Sequence, residues 1–304
     1  MSWQPAAEPG ADEAPQAALD MIIEPRLRDL GGGFSVRRVL PFAKMRAVGP
    51  FVFFDHFGPT VFAPGQGMDV RPHPHIGLAT ISYLFEGEIM HRDSLGNAQP
   101  IRPGEVNWMT AGRGIAHSER TPPGLRKNGS RLCGIQSWVA LPRKFEETAP
   151  QFVHYAKDAQ PVIAGDGKTL RLIAGSLYGK RASVEVFSGM FYADAEMEAG
   201  ATLELDVEHA ERAAYIVTGA VEFAGTRHEA GRMLVFRGGA PVMLAAREPA
   251  RLMLLGGESL DGPRHIWWNY VSSSEARIEQ AKADWKEGRF AKVPGDDEFI
   301  PLPE

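Results

Sequence analysis

The sequence contains almost no cysteine, and this absence limits the kinds of site it can build. Cys133 is the single cysteine among 304 residues, so an internal disulfide and a zinc site built on thiolates are both excluded. Any bound metal must therefore be held by histidine and carboxylate side chains.

Long apolar runs are also missing. No stretch of about 18 consecutive apolar residues occurs, and the N-terminal segment has neither the basic nor the apolar part of a secretory signal. We therefore expect a cytoplasmic protein that does not enter a membrane.

The sequence also lacks an excess of positive charge. Lysine and arginine together number 33 against 38 aspartate and glutamate residues, the formal net charge is -5, and no block of lysine or arginine occurs. Proteins that bind nucleic acid use basic surfaces to contact the phosphate backbone. Nucleic acid is therefore not an expected partner.

The chain is instead rich in turn-forming residues and short apolar runs. Its 33 glycines and 23 prolines lie between segments such as FVFFDHFGP and LATISYLFEGEI, a pattern typical of short strands in a sandwich or barrel. Residues 1–20 show no apolar periodicity and predict a disordered tail. One helix is predicted near 274–287, with Ser272 and Glu275 as a capping box and Gly288 beyond its end.

A faint internal repeat divides the remaining sequence into two halves. The segment YLFEGEI at Tyr83 reappears as YIVTGAV at Tyr215, and PGEV at Pro103 reappears as AGRM at Ala230. The two offsets, 132 and 127 residues, differ by an amount that a shorter hairpin absorbs.

The repeat predicts an all-β fold of two tandem antiparallel domains, each a β-barrel or jelly roll, with a helix at the C-terminal end. We place the first domain at residues 21–145, a linker region at 146–164 and the second domain at 165–304. The helix near 274–287 then ends the second domain.

Two short motifs carry candidate metal ligands. His73-Pro74-His75 places two imidazoles at i and i+2, which face the same side of a strand. His117-Ser118-Glu119 has the same spacing and follows a glycine-rich run in which the backbone can bend toward a site. Together the motifs would offer three nitrogens and one carboxylate oxygen to one ion. Alternatively, the histidines lie at an exposed proline-rich turn and Glu119 pairs with a neighbouring arginine.

The repeat favours the metal site over the surface turn. At the two offsets, the four candidate ligands correspond to apolar residues of the second copy, namely Leu205, Val207, Leu244 and Ala246. Such positions are expected to face a barrel interior in both copies, polar in the first and packed in the second. A metal is therefore expected only in the first domain.

The motifs also lie in a run that we recognise. HPHIGLATISYLFEGEIMHRDSLGN followed by PGEVNWMTAGRGIAHSE closely resembles the pirin family of the cupin superfamily. The similarity is specific over about residues 34–140, and RLIAGSLYG and GPRHIWWNYVSSS are similar to the rest of a pirin. The resemblance implies a bicupin whose N-terminal cupin holds one metal, usually iron.

The resemblance also implies the ligand set. The four ligands of the family would fall on His73, His75, His117 and Glu119. The sequence departs from the general cupin pattern at Ala79, where many cupins carry a ligand glutamate, so Glu119 has to serve as the carboxylate. Such a set suits iron, nickel, manganese, cobalt, copper or zinc, and the resemblance favours Fe(II).

Two functions follow from the resemblance. Some pirins resemble flavonol dioxygenases that open quercetin at the 2,3 bond, which predicts an oxidoreductase with a flavonol-type aromatic substrate and O2, active as a monomer. In that reaction Glu119 is expected to act as the general base for the 3-hydroxyl proton. Other pirins regulate a partner enzyme or transcription factor by binding it, and a metal would then sense redox state. We predict the dioxygenase.

Three features remain without an assigned role. His56 either lines the mouth of a pocket or, as its apolar neighbours favour, occupies a core or rim position. His91 and Asp93 either support the metal ligands as a pair or simply lie at a predicted hairpin, where turn chemistry already explains the aspartate. Arg113 either neutralises a bound oxyanion or simply occupies a glycine loop.

Overall fold

The computed structural model describes residues 18–30, 34–205 and 207–303. Most of the predicted disordered tail therefore lies outside the described residues. Strand β1 (Leu19–Ile23) begins within the range predicted as tail, because Ala18 is fully buried and Leu19 packs against the same apolar cluster. Among the described residues, no helix is long and apolar enough to cross a membrane.

The first domain is a barrel of two antiparallel sheets. Its strands are β2 (Arg26–Asp29), β3 (Ser35–Leu40), β4 (Phe51–Phe62), β5 (Asp69–His75), β6 (Leu78–Glu86), β7 (Ile89–Asp93), β8 (Ala98–Ile101), β9 (Val106–Thr110), β10 (Ile115–Arg120), β11 (Ser130–Ala140) and β12 (Gln151–Tyr155). The large sheet has the order β12-β9-β6-β11-β4-β3-β2, and the small sheet has the order β5-β10-β7-β8.

The second domain repeats this plan. Its strands are β13 (Val162–Gly165), β14 (Lys168–Leu177), β15 (Lys180–Arg181), β16 (Met190–Met197), β17 (Thr202–Leu205), β18 (Glu211–Thr218), β19 (Ala220–Phe223), β20 (Thr226–Glu229), β21 (Met233–Phe236), β22 (Val242–Ala246) and β23 (Ala250–Gly257). The large sheet has the order β1-β21-β18-β23-β16-β14-β13, with β15 beside β14, and the small sheet has the order β17-β22-β19-β20. The prediction of two tandem antiparallel barrels is confirmed.

The two domains exchange their edge strands. β1, at the start of the chain, pairs with β21 of the second domain, in the place that β12 takes beside β9 in the first. The expected boundaries therefore differ from the strand pairing at two points. Residues 21–23 lie in the sheet of the second domain, and the expected linker over 146–164 contains a strand of the first.

One apolar cluster joins the two large sheets, which pack face to face. It includes Phe54, Tyr83 and Trp108 from the first domain and Tyr192, Tyr215 and Met253 from the second. The two tyrosines of the sequence repeat lie here with their hydroxyls paired across the interface. Tyr83 donates to Asp194 Oδ2 at 2.8 Å, and the Tyr215 hydroxyl lies 2.8 Å from His56 Nδ1.

Burial on both faces explains the sequence of β6. One face of the strand lies in the apolar cluster between the domains, and the other faces the small sheet of its own barrel. Residues 78–84 of its sequence LATISYLFE are therefore all buried. The apolar Ala79, Ile81 and Tyr83 lie between the domains, and the polar Thr80 and Ser82 face the barrel interior.

After β23 the chain returns to the first domain. The hairpin β24 (His265–Trp267) and β25 (Tyr270–Ser272) adds an isolated bridge between Tyr270 and Ile76, beside the end of β5. The bridge brings the aromatic run of the C-terminal region against the barrel that carries the candidate ligands.

The helices are few in the described residues. α1 (Pro123–Asn128) precedes β11, two 3-10 turns span Arg143–Phe145 and Lys157–Ala159, and α2 (Glu275–Lys286) follows β25. The capping box predicted on Ser272 is wrong, because that residue ends a strand. Ser274 is the N-cap and accepts a hydrogen bond from the Arg277 backbone N–H. α2 packs its apolar side, including Ile278, onto the β structure.

His56 is buried in the interface between the domains. Its residue exposure is 2%, and burial followed by the positive charge of Arg37 lowers its pKa to about 3. In the unfolded chain a histidine takes up a proton near pH 6.5. Between these two pKa values the unfolded state binds more protons than the native state, so stability falls as the pH is lowered through this window.

We expect His56→Gln to flatten that pH dependence. Glutamine keeps a polar group near Tyr215 but cannot titrate, so the unfolding free energy should depend less steeply on pH, by about 1.4 kcal/mol per pH unit. Urea unfolding of the metal-free protein at several values between about pH 4 and pH 6 measures the slope. Equal slopes for the variant and the wild type would show that His56 is not held neutral in the native state.

Candidate metal centre

Strand pairing brings the two histidine motifs together. β5 and β10 are antiparallel neighbours, and His73 lies directly opposite His117. His75 shares a face with His73 because it is two residues further along the strand. The three rings are buried, with residue exposures of 7%, 1% and 1%. One ring nitrogen from each lies within 4.8 Å of the other two, so this cluster has the arrangement of a three-histidine metal site.

The outer ring nitrogens show which atoms are free for a metal. His73 Nδ1 donates to the Arg71 carbonyl at 2.9 Å, and His75 Nδ1 donates to the Asn269 carbonyl at 3.1 Å. Because a carbonyl only accepts, both protons are on Nδ1 and both Nε2 lone pairs are free. His75 Nε2 points at His117 Nε2 across 3.1 Å. Metal-binding imidazoles are held in this way by an acceptor on the second nitrogen.

The electrostatics of the cluster also fit a metal ion. Burial lowers the pKa of His73 to about 4, with a smaller contribution from the nearby His91. Burial and the other histidines lower the pKa values of His75 and His117 well below the usual range. All three are therefore neutral at pH 7, which is the form that binds metals.

Glu119 lies beside this cluster, on the same strand as His117. The strand has an irregular register between these two residues. The carboxylate is 9% exposed, and its Oε1 accepts a hydrogen bond from Ser82 Oγ at 2.8 Å. Burial raises the pKa of Glu119, while the Ser82 hydrogen bond acts in the opposite direction. The three-nitrogen group does not include this carboxylate, so its role as a ligand stays a prediction.

The structure explains the departure at Ala79. This residue is fully buried in the cluster between the domains, whereas Ser82 faces the barrel interior and contacts Glu119. Odd and even positions of β6 face opposite sides of the sheet. A side chain at position 79 therefore faces away from the three histidines.

Strand pairing corrects the positions that were matched between the two copies. In the second domain Leu203, not Leu205, lies opposite Leu244, as His73 lies opposite His117. The offset between the copies is therefore 130 residues at β5, from His73 to Leu203, and not the 132 residues found at Tyr83 in β6. Val207 is 52% exposed and is not a counterpart of a ligand.

The corrected counterparts support the reasoning from the repeat. All four are apolar and buried, namely Leu203, Leu205, Leu244 and Ala246. The same inward positions thus form a polar cluster in the first barrel and a packed core in the second.

A cavity of about 340 Å³ opens beside the histidines, within the range of roughly 300–1,000 Å³ usual for small-molecule sites. Five aromatic side chains line it among aliphatic, polar and charged residues, namely Phe34, Phe53, Phe57, Trp138 and Trp268. Phe53 stacks on Trp138 with ring centroids 3.9 Å apart. This part of the cavity is therefore suited to a flat, apolar ring.

Polar groups occupy one wall of this cavity. Arg38 and the buried Asp55 form an ion pair at 2.8 Å, and the Arg38 guanidinium lies 4.5 Å from the Phe53 ring centroid. Burial raises the pKa of Asp55, while the hydrogen bond and charge of Arg38 oppose that change. Sequence reasoning missed both residues, because neither lies in a motif.

The C-terminal region also contributes to the site, which the sequence analysis did not predict. Trp268, Asn269 and Ile300 line the cavity, although they follow the second barrel in the chain. Trp268 has a φ of 51°, a conformation that a bulky residue rarely adopts. This tight turn presents the Asn269 carbonyl to His75. The aromatic run was the available signal, but nothing in it indicated which domain it covers.

The unassigned residues fall in different places. His56 lies between the domains and does not line the cavity described above. Arg113 is exposed, and its carbonyl accepts a hydrogen bond from Arg277 at 2.6 Å. His91 is buried, and its Nδ1 lies 3.4 Å from His117 Nδ1. The hairpin therefore explains only some of the contacts of His91.

The chain is similar to known proteins over most of its length. The family model described as Pirin matches residues 33–139, and the one described as Pirin C-terminal cupin domain matches residues 192–291. A pirin-like protein of Caulobacter vibrioides is 54% identical over 94% of this chain and 100% of its own length. A Pseudomonas aeruginosa protein, provisionally named as a quercetin 2,3-dioxygenase, is 38% identical over 88% of this chain and 84% of its own.

A solved structure has the same fold. The crystal structure of quercetin 2,3-dioxygenase from Acinetobacter baumannii superposes with a TM-score of 0.88 and 31% sequence identity. The match covers 96% of this chain and 97% of that one. Both barrels and their order along the chain are therefore shared with it.

Proposed function

The chain belongs to the pirin family, and on that premise we propose that it is a metal-dependent dioxygenase that opens flavonols such as quercetin at the 2,3 bond. The observation that carries the proposal is the group of three buried, neutral imidazoles at an aromatic cavity. The names of the Pseudomonas and Acinetobacter proteins support the same reaction.

The residues present fit a mid-row divalent metal. His73, His75 and His117 would hold it through Nε2, and we propose Glu119 as the fourth ligand. A metal such as Fe(II) in this set supplies open coordination positions and a redox couple for the reaction of substrate with O2. Nickel, manganese, cobalt, copper and zinc suit the same ligands, and the resemblance to pirins favours iron.

Glu119 is the residue that we propose as the general base. Its carboxylate is buried, which raises its pKa and makes it a better proton acceptor than an exposed glutamate. Ser82 holds one oxygen of the carboxylate, at 2.8 Å. The other oxygen would take the 3-hydroxyl proton of a flavonol and give up its place as a ligand as it does so. The proton then stays on Glu119 while the ring opens.

The cavity walls position the substrate and exclude water. The stacked rings of Phe53 and Trp138 offer a flat surface, and Trp268 covers the cavity from the C-terminal region. The ion pair of Arg38 and Asp55 supplies polar contacts for phenolic hydroxyls. A flat, polyhydroxylated aromatic molecule matches both features.

We expect the iron-loaded protein to consume O2 in the presence of quercetin and to bleach its visible absorption. The products are a carboxylic ester and carbon monoxide. The ester gains both atoms of O2, and the carbon monoxide contains the carbon that is removed from the ring. Oxygen uptake by iron-loaded protein and by free iron at the same concentration is the measurement. His228→Ala, which removes a buried histidine of the second domain, is the matched control and should behave as wild type.

The opposite outcome favours the regulatory function. If fully loaded wild type is no faster than free iron, the dioxygenase proposal fails. The pirin fold and its metal would then fit a redox-sensing protein that binds a partner enzyme or transcription factor.

A further inference from the structure

Behind the metal ligand His117 lies a second buried pair, His91 and Asp93. Both are on β7, which pairs with β10 so that Asp93 lies opposite His117 and His91 opposite Glu119. The two residues are 3% and 0% exposed. His91 Nδ1 lies 3.4 Å from His117 Nδ1, and His91 Nε2 lies 3.0 Å from Asp93 Oδ2. The three side chains thus form a continuous row.

A metal on His117 fixes the direction of every hydrogen bond in this row. If Nε2 of His117 binds the ion, its proton is on Nδ1 and is donated to His91 Nδ1. His91 must then carry its own proton on Nε2, where Asp93 accepts it. Each group therefore has one tautomer and one orientation.

The pair is held in place from two other directions. Phe152 of β12 stacks on the His91 ring, with centroids 4.3 Å apart and planes at 13°. Asp93 Oδ1 accepts the backbone N–H groups of Leu95 and Asn97 at 2.9 and 3.1 Å. The side chain of Asn97 also donates, to Oδ1 at 3.0 Å and to Oδ2 at 2.9 Å. Oδ2 therefore accepts from both Asn97 and His91, and the hairpin holds the carboxylate in place.

The second domain provides an internal comparison. There Val221 pairs with Ala246 as His91 pairs with Glu119, so Val221 is the counterpart of His91 and Phe223 that of Asp93. Both are apolar and buried, and the hairpin after β19 forms without an aspartate. The pair is thus replaced in the same barrel that has leucine in place of His117. This is expected of residues that serve the metal ligand as well as the turn.

We propose that Asp93 and His91 are positioning residues for His117. Through the two hydrogen-bonded imidazoles, the buried carboxylate of Asp93 would orient the His117 ring and make it a stronger donor to the metal. The proposal rests on the metal site of the proposed function. His73 and His75 differ from His117, because each donates to a neutral backbone carbonyl. Acceptors behind a ligand imidazole orient the ring and raise its basicity. His117 is therefore the ligand whose donor strength depends on a charged group.

The test uses the full chain loaded with Co(II), whose visible absorption bands report the ligand field. We expect His91→Phe to weaken Co(II) binding by about 10- to 100-fold and to shift these bands. Asp93→Asn keeps the volume of the side chain but removes its charge, so it should shift the bands in the same direction. His228→Phe is the matched control for loss of a buried histidine, and the melting temperature of each metal-free variant reports folding.

The possible results separate this proposal from the others. If both variants bind Co(II) within a factor of about three of wild type with unmoved bands, the positioning role is overturned even though the three-histidine site stands. If wild type binds Co(II) and both variants bind it more weakly, with shifted bands, the positioning role is supported. This holds whether or not the protein oxidises quercetin. A wild type that fails to bind Co(II) would overturn both the site and the relay.

Discussion

Replacing His75 by alanine is expected to remove most of the metal from the protein while leaving the fold intact. His75 is 1% exposed, and its Nε2 lies 3.1 Å from that of His117, so the variant loses one of three nitrogens that converge on one point. The loss of affinity should exceed the roughly 10- to 100-fold that follows from removing an outer hydrogen-bonding partner of a ligand. Metal content after dialysis against a chelator is the measurement.

His228→Ala is the matched control for this experiment. It also removes a buried histidine, but from the second domain, whose ligand counterparts are apolar. We expect it to keep one metal per chain, as wild type does. Equal metal content in the two variants would show that His75 is not a ligand, and a second stoichiometric ion in wild type would contradict the single-site prediction.

The ligand cluster was predictable because its signal is local. Each motif has ligand-type residues at i and i+2, which lie on one face of a strand. The repeat indicates that these two faces point into the barrel. The two barrels follow from short apolar runs between glycines and prolines. Strand pairing then confirms that His73 and His117 lie directly opposite each other.

The features that were missed depend on distant parts of the chain. Asn269 lies 194 positions from His75 in sequence, and its backbone carbonyl is the atom that matters, so no residue type marks it. The exchange of β1 and β12 between the large sheets is likewise invisible in a pattern that only indicates strands. The sequence left the role of His91 and Asp93 open, because hairpin chemistry already explained Asp93 and only the pairing of β7 with β10 places the two residues beside His117.

The same long-range contacts make the first barrel dependent on the rest of the chain. Its candidate ligand His75 is oriented by the hairpin that follows the second barrel, and Arg120, next to Glu119, pairs with Asp296 near the C-terminal end at 2.7 Å. An isolated first domain would lack both contacts. We therefore expect metal binding and turnover to need the intact chain, and the experiments above use it.

Glu119→Gln should separate metal binding from turnover. Glutamine has nearly the same shape, its amide oxygen remains a weak ligand, and the three imidazoles are unchanged, so the variant should retain some metal. Turnover of quercetin should nevertheless fall by about 10²- to 10⁴-fold, because a neutral amide cannot accept the 3-hydroxyl proton and a positioned general base typically contributes that much. The measurement is oxygen uptake per bound iron, which corrects for any loss of metal.

Glu86→Gln, at a half-exposed position in an ion pair with Arg131, is the control and should turn over as wild type. If Glu119→Gln matches wild type per bound iron, the proton goes to another acceptor and Glu119 is not the base, although the dioxygenase activity itself would stand.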